Sequence, residues 1–122
     1  MTLFVFFLLM VKHFISDFAL QGRLKLIHDK HLLTSKKGHT HALDHAIGTA
    51  YANGQLIFIT ILIFPLLDYV LHFLIDWCKA NFVIANKMKQ QDRAFWILTG
   101  IDQIFHTSAY FLIVVLFDIY FF

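Results

Sequence analysis

The sequence predicts an all-α membrane protein, a bundle of four transmembrane helices that takes up the whole chain (1–122) as one domain. Of the 122 residues, 59% are hydrophobic and only 15% are charged, and the mean hydropathy is +0.68. A soluble domain is closer to half apolar and about one-quarter charged. Apolar stretches also alternate with two short basic ones, as in proteins that cross a membrane several times. We therefore expect the chain to be integral to the inner (cytoplasmic) membrane.

Four segments define the predicted helices, at about residues 2–21, 39–53, 55–78 and 94–121. The first, "TLFVFFLLMVKHFISDFALQ", is long enough to cross the hydrocarbon core of a bilayer. The third contains Pro65, which predicts a kink. The second, "HTHALDHAIGTAYA", is short and polar for a membrane span, so we expect its neighbours to shield it. The dipeptide Asn-Gly that follows it indicates the turn of a helical hairpin.

The basic residues determine the predicted topology. Five Lys and Arg lie between Arg23 and Lys37, four lie between Lys79 and Arg93, and the tenth is Lys12. With four spans, both basic stretches fall on one side, which the positive-inside rule makes cytoplasmic, with both termini outside. If the second segment lay flat at the interface, three spans would place the basic stretches on opposite sides, so the charges favour four. The net charge of +2 is too small to indicate a nucleic-acid partner.

Each predicted helix carries Asp or His residues four positions apart. Residues with this spacing differ by about 40° around a helix, so they share a face, and lipid cannot solvate such a polar stripe. The stripes should therefore face the bundle interior, and their positions along the helices bring them to one level in the cytoplasmic half of the membrane. The predicted metal ligands are His13, Asp17, His41, His45, His72, Asp76, Asp102 and His106.

His and Asp ligands without Cys suit a divalent metal such as zinc, manganese or iron. The candidates outnumber the ligands of a single tetrahedral ion, which leaves room for a dinuclear site or for carboxylates that orient imidazoles. A metal pair with a water could clamp a phosphate ester for in-line attack. The candidate catalytic residues are Asp68, one turn deeper, as a general base or a supporting residue, and Gln103, which could hydrogen-bond substrate. Gln21 could do the same.

Other interpretations fit the same residues. The Asp–His pairs could be hydrogen-bonded links that fix the helix register, or a route for protons, ions or a transported metal. Paired His residues could bind haem, although so many carboxylates disfavour it. A non-enzymatic phage or bacterial factor that inhibits a host membrane protein would use the polar core structurally and contact its target through the basic loops. The protein could also form a homo-oligomer. His28 and His31 are expected on the solvated surface, His39 as a ligand or an interfacial cap, and Lys79 as an interfacial anchor.

Four short motifs carry a family resemblance: "KHFISDFALQ", "HALDH", "HFLIDWCK" and "DQIFH", in this order between Lys12 and His106. Together they resemble the short bacterial and phage membrane proteins of the domain of unknown function 3307 family. The resemblance implies a multi-helix membrane protein. It places nine residues at the family's recurrent polar positions: His13, Asp17, Gln21, His72, Asp76, Lys79, Asp102, Gln103 and His106.

The chain is also distantly similar to membrane-bound metal-dependent hydrolases, whose His/Asp motifs lie on transmembrane helices. The expected function is therefore metal-dependent hydrolysis of a lipid or a lipid-linked phosphate, with membrane lipid as the partner.

Overall fold

Each of the four predicted helical segments contains a helix, and two of the helices differ in length from the prediction. The computed structural model of the protein describes residues 2–21, 30–52 and 60–121. Helix α1 spans Thr2–Phe14 and continues as a π-helical stretch over Ile15–Leu20; α2 spans Lys36–Ala52, α3 Thr60–Ala85 and α4 Arg93–Phe121. Within the described ranges the protein is all-α, as predicted. Part of the first basic stretch (22–29) and the predicted Asn-Gly turn lie outside the described residues.

Helix α3 runs past its predicted end at Cys78. The polar residues after Cys78 do not end the helix, which continues to Ala85. Lys87 has a φ of 50°, and the amides of Lys87 and Met88 each donate a 3.0 Å hydrogen bond to a carbonyl of the last helical turn. This is a Schellman cap with Lys in the position that Gly usually takes. The first part of the second basic stretch, including Lys79, is therefore helical, and only a turn separates α3 from α4.

Two small residues position α2. The helix begins three residues before its predicted start, because Ser35 caps it: the Gly38 amide donates a 3.0 Å hydrogen bond to Ser35 Oγ. Further along, a Cβ added to Gly48 would meet Lys12 Cδ at 3.1 Å. The glycine therefore lets α1 and α2 approach closely.

The four helices form a ring in which each one packs against its neighbours in sequence and α4 closes on α1. Neighbouring helices are antiparallel: Asp17 near the end of the first helix meets His41 near the start of α2. Phe64 near the start of α3 packs against Phe117 near the end of α4. As a result, the connection that precedes α2 and the connection that precedes α4 lie at one end of the bundle, which we call the basic end.

The interior of the bundle has an apolar half and a polar half. The apolar half lies away from the basic end and consists of Val5, Leu9, Phe64, Tyr110, Ile113, Val114 and Phe117. Toward the basic end the buried side chains are mostly polar, and they include His13, Ser16, His41, His45, Thr49, Asp68, His72, Asp102 and His106.

The outer surface of the bundle is largely apolar. Leu3, Leu62 and Ile119, on three different helices, are each at least 63% exposed. By length and composition, two described helical segments, Leu3–Leu20 and Arg93–Tyr120, could cross a membrane. A helix bundle in water normally has the opposite distribution, with its apolar faces inside.

Candidate metal centre

Every predicted metal ligand reaches the polar half of the interior. Ligand atoms of His and Asp side chains form three groups, and within each group all of these atoms lie within 4.8 Å of one another. The groups are Asp17–His41–His45–His72, His13–His72–His106 and Asp76–Asp102–His106, and together they contain all eight predicted ligands. His72 and His106 each belong to two groups, so the three groups form one continuous cluster. The stripes converge as expected, and metal binding itself stays a prediction.

Asp17 lies at the centre of one half of the cluster. Its Oδ1 is 3.2 Å from His41 Nε2 and 3.1 Å from His45 Nε2, and its Oδ2 is 3.2 Å from His13 Nε2. Asp17 belongs to the π-helical stretch Ile15–Leu20, and single π-helical turns within α-helices are frequent at functional sites. The local widening of the helix thus coincides with the carboxylate that the three imidazoles surround.

Asp76 lies at the centre of the other half. Its Oδ2 is 3.6 Å from His41 Nε2 and 3.5 Å from His72 Nε2, and its Oδ1 is 3.6 Å from His106 Nε2. His106 Nε2 is also 3.6 Å from Asp102 Oδ1. His41 is shared by the two halves, and each half presents one carboxylate to three imidazoles.

These distances fit the edges of a metal coordination shell. Two tetrahedral ligand atoms bound to zinc at about 2.0–2.1 Å are separated by about 3.3 Å, within the 3.1–3.6 Å found around the two carboxylates. Both ring nitrogens of His41 and His72, His106 Nε2 and Asp102 Oδ1 are buried and have no hydrogen-bond partner among the described residues. Buried polar atoms left unpaired are costly, and a cation held between them would satisfy them.

Tyr110 constrains the protons of two imidazoles. Its hydroxyl lies 2.9 Å from His13 Nδ1 and 3.3 Å from His45 Nδ1. The hydroxyl has one proton to donate, so the second ring can bond to it only by donating its own Nδ1 proton. A neutral ring that is protonated at Nδ1 has a bare Nε2, and both Nε2 atoms face Asp17, at 3.1 and 3.2 Å. Because His13 Nε2 lies 3.0 Å from the acceptor Gln103 Oε1, His13 carries its proton at Nε2 and His45 is the ring that donates to Tyr110. The bare Nε2 of a neutral His45 then meets the Asp17 carboxylate, and a cation or an added proton between them would relieve the repulsion.

Removal of the Tyr110 hydroxyl should weaken metal binding while the bundle stays folded. In Tyr110→Phe neither imidazole is held by the hydroxyl, so we expect the affinity for Zn²⁺ or Mn²⁺ to fall by about 10- to 100-fold, as it does when residues that orient metal ligands are lost. Calorimetric titration of the detergent-purified protein measures the change. Tyr69→Phe is the matched control, because the Tyr69 hydroxyl bonds His39, 2.6 Å away and outside the cluster. Equal losses in the two variants would contradict the role of Tyr110.

Lysines accompany three of the four aspartates in the interior. The pairs are Lys12 Nζ with Asp68 Oδ2 at 2.5 Å, Lys30 Nζ with Asp76 Oδ2 at 2.5 Å, and Lys79 Nζ with Asp102 Oδ2 at 2.9 Å. Asp17 differs, because its ion-pair partners among the described residues are imidazoles. If these imidazoles are neutral, Asp17 has no cationic partner among the described residues, and a bound cation would supply one.

The two predicted catalytic residues lie at the edges of the cluster. Asp68 is outside the three groups, and its Oδ2 accepts hydrogen bonds of 2.5 Å from both Lys12 and Thr49. Gln103 Oε1 lies 3.0 Å from His13 Nε2, so Gln103 holds an imidazole in place. A catalytic role for either residue stays a prediction.

The prediction of the cluster omitted three residues that contribute to it. Tyr110 lies one turn beyond His106 and Thr49 one turn beyond His45, so the four-residue spacing could have identified both. Lys30 comes from the first basic stretch, where no local pattern marks it as a partner of an interior carboxylate.

Two other polar residues have contacts that their sequence positions did not settle. His39 is outside the cluster: its Nδ1 lies 2.6 Å from the Tyr69 hydroxyl and its Nε2 lies 2.8 Å from the Leu33 carbonyl oxygen. Lys79 was expected to anchor the chain at the membrane interface, but its ammonium group pairs with Asp102 in the interior. The reason is the extension of α3, which keeps Lys79 on the helix that packs against α4.

A cavity of about 350 Å³ leads from the cluster toward the basic end. Its lining includes Asp76, Lys30, Lys79, Gln21 and His31. Lys30 Nζ donates a 2.8 Å hydrogen bond to Gln21 Oε1. Two ammonium groups and an amide therefore line the approach to the carboxylates. Each ammonium group is paired with a carboxylate, so the approach would suit an anionic group once a cation is bound by the carboxylates.

A comparison with known protein families finds a match over residues 5–121 to the family described as "Protein of unknown function (DUF3307)". The match covers nearly the whole chain, and the chain belongs to this family. No curated protein and no solved structure matches it. Family membership confirms the resemblance carried by the four motifs and assigns no activity, and the similarity to membrane-bound metal-dependent hydrolases stays a prediction.

Proposed function

We propose that this family member is an integral membrane protein whose His/Asp cluster binds a divalent metal and hydrolyses a lipid phosphate or lipid-linked phosphate. The observation that carries the proposal is the pair of carboxylates, Asp17 and Asp76, each of which faces three imidazole Nε2 atoms at 3.1–3.6 Å. The donor set suits zinc, manganese or iron. The two carboxylates could hold one ion between them or one ion each.

The distribution of polar and apolar side chains supports a membrane location. Carboxylates and imidazoles occupy the interior, whereas the outer face carries exposed Leu, Ile and Phe side chains. Soluble monomers rarely expose contiguous apolar surface of this extent, but ionisable residues of membrane proteins face the bundle interior. Lys36, Lys37, Lys87 and Lys89 are exposed at the basic end, which supports a cytoplasmic position for that end.

The cavity beside the cluster supports phosphate-ester hydrolysis. A bound divalent cation would supply a nucleophilic water at neutral pH and would neutralise charge on the phosphate oxygens. Lys30 and Lys79 would bind the phosphate by charge, and Gln21 would orient it by hydrogen bonding. The cluster lies behind this cavity inside the bundle, where the low dielectric strengthens each of these interactions.

Conduction of protons or ions through the bundle is the less favoured function. Beyond Asp68, the apolar half of the interior is filled by side chains that include Val5, Leu9, Phe64 and Phe117. Among the described residues, the polar stripes therefore end partway along the bundle, as expected for a site that is open at one end.

The packing of the imidazoles disfavours haem. The rings of His45 and His72 stack with centroids 3.5 Å apart, and those of His72 and His106 are 4.3 Å apart. A porphyrin held by two axial His residues must lie between them. Rings in direct contact leave no gap for the macrocycle.

Metal content and phosphate release together test the proposal. Protein purified in detergent should contain about one or two divalent ions per chain by elemental analysis, held as tightly as ions in other His/Asp sites. It should also release phosphate from phosphatidic acid or a polyprenyl phosphate in mixed micelles. EDTA should abolish the release, and one of the three metals should restore it.

Two results would contradict the proposal. Metal content below about 0.3 ions per chain in metal-supplemented preparations would exclude a resident metal site, because structural and catalytic ions normally co-purify. Bound metal without phosphate release from any lipid phosphate would exclude the hydrolase and favour transport or a structural role.

A further inference from the structure

A groove of about 320 Å³ lies between α3 and α4 on the outer face of the bundle. Its apolar walls include Leu74, Cys78, Phe82, Leu98, Ile101 and Phe105, and its lining also contains Lys79 and Asp102. Four of the wall residues are between 44% and 59% exposed. The groove is thus an apolar slot that opens on the side of the bundle and carries two charged groups.

The charged groups connect this groove to the candidate metal centre. Asp102 belongs to the Asp76–Asp102–His106 group. Its buried Oδ1 has no hydrogen-bond partner among the described residues, and its Oδ2 accepts a 2.9 Å hydrogen bond from Lys79. Lys79 also lines the cavity at the basic end. Lys79 therefore lies between the groove and the cavity and lines both of them, with Asp102 on the groove side and Asp76 on the cavity side.

We propose that the groove binds the hydrocarbon chain of an anionic lipid with a phosphate monoester headgroup, which enters sideways between α3 and α4. The hydrocarbon chain lies against the apolar walls of the groove, and the phosphate lies at Lys79 and faces the His/Asp cluster. This inference rests on the proposed function and specifies its substrate class and route of entry.

Charge complementarity favours this occupant over other apolar ligands. A monoester phosphate carries up to two negative charges near neutral pH. Lys30 and Lys79 line one cavity and are paired with Asp76 and Asp102, so a divalent ion bound by these carboxylates would leave the two ammonium groups free to meet the phosphate. A zwitterionic lipid would bring a quaternary ammonium next to the ion and the two ammonium groups, where like charges repel. The structure therefore favours the anionic lipid at the headgroup end, whereas the walls alone would accept either lipid.

Photocrosslinking tests the proposal without any need for turnover. The full chain is reconstituted in phosphatidylcholine vesicles that contain a lysophosphatidic acid with a diazirine in its tail, and the crosslinked peptides are mapped by mass spectrometry. We expect the crosslinks to concentrate on Cys78, Phe82, Ile101 and Phe105. The yield should exceed by several-fold the yield with a lysophosphatidylcholine that carries the same tail.

Two tryptophan variants of α4 form a matched pair. Ile101 lines the groove and is 44% exposed; Ile97 lies one turn earlier, is 55% exposed and is not among the groove residues. Ile101→Trp should reduce crosslinking by about tenfold or more, the loss expected when two or more methylene groups leave an apolar pocket. Ile97→Trp should leave the crosslinking yield unchanged.

Lys79→Met tests the headgroup end of the site. This variant should remove the preference for the anionic lipid.

Cys78, the single cysteine of the chain, gives a second readout that needs no variant. It is exposed and lines the groove, so lysophosphatidic acid should slow its modification by a lipophilic maleimide. Glycerol phosphate, which has the headgroup but no chain, should not. If glycerol phosphate, which has no hydrocarbon chain, also protects Cys78, the ligand lies in the cavity and the proposed role of the groove is overturned.

The groove and the proposed hydrolase can fail independently. Crosslinks spread evenly over the outer faces, equal yields with both lipids, or no effect of Ile101→Trp would each overturn the groove as a lipid site. Crosslinks confined to the groove without phosphate release would preserve the binding site and refute the hydrolase. Phosphate release with evenly spread crosslinks would support the hydrolase and refute the groove as a lipid site.

Discussion

Replacement of Asp76 by Asn should remove at least half of the bound metal and nearly all phosphate release. Asp76 faces His41, His72 and His106 at 3.5–3.6 Å, and Asn keeps the shape but supplies no negative charge. Metal affinity should fall by more than about 100-fold, because the loss even of residues that orient ligands costs 10- to 100-fold. Turnover should fall by about a thousandfold or more, since the metal contributes several kcal/mol and each 1.36 kcal/mol is tenfold in rate. Elemental analysis and phosphate-release assays measure both effects.

Asp17→Asn and the double variant Asp17→Asn/Asp76→Asn distinguish one ion from two. If each carboxylate holds its own ion, each single variant keeps one ion and the double variant keeps none. If one ion bridges the carboxylates, either single variant loses it. Asp92→Asn is the control, because Asp92 lies in the exposed turn before α4 and accepts a 2.7 Å hydrogen bond from the Lys89 amide. Wild-type metal content and turnover in Asp76→Asn would refute the assignment of the site.

The convergence of these eight side chains could be predicted from the sequence because two simple physical constraints act on them. Residues four apart share a helix face, and a polar face in an apolar helix must turn inward when lipid surrounds the bundle. These constraints suffice for pairs such as His41 with His45 and Asp102 with His106. They also apply to Tyr110 and Thr49, which continue two of the stripes but lack the acid or imidazole groups that mark a metal ligand.

The remaining features depend on contacts between helices, which local patterns do not encode. Lys30 and Lys79 reach Asp76 and Asp102 only because the connections and the extended α3 bring them there. The end of α3 was missed because Lys87 adopts the left-handed conformation of its cap, whereas sequence reasoning expects Gly in that position. The π-helical stretch was missed as well, because no residue type in "ISDFAL" signals it.

Replacement of Lys12 by Met should destabilise the bundle by about 3–5 kcal/mol, the cost of removing one partner of a buried ion pair. Lys12 Nζ lies 2.5 Å from Asp68 Oδ2, and the two side chains are 11% and 2% exposed. The ammonium also donates to the His45 carbonyl at 3.1 Å and lies 4.5 Å from the centroid of the Tyr110 ring. Met retains most of the alkyl stem that packs on Gly48, so the loss is chiefly one of charge. Equilibrium unfolding in mixed micelles of dodecyl maltoside and SDS measures the change.

The double variant Lys12→Met/Asp68→Leu separates the ion pair from any catalytic role of Asp68. With both charges removed, no partner of this ion pair is left buried alone, so stability should return close to that of the wild type. Lys36→Met at the exposed start of α2 serves as the surface control. A Lys12→Met variant that unfolds like the wild type would mean that Asp68 needs no partner.

Since Lys12 and Asp68 lie outside the three ligand groups, the double variant should keep its metal. Retained turnover in this stable, metal-loaded variant would restrict Asp68 to its pairing with Lys12. Loss of turnover would give a role in catalysis to Asp68 or to Lys12, which also contacts His45.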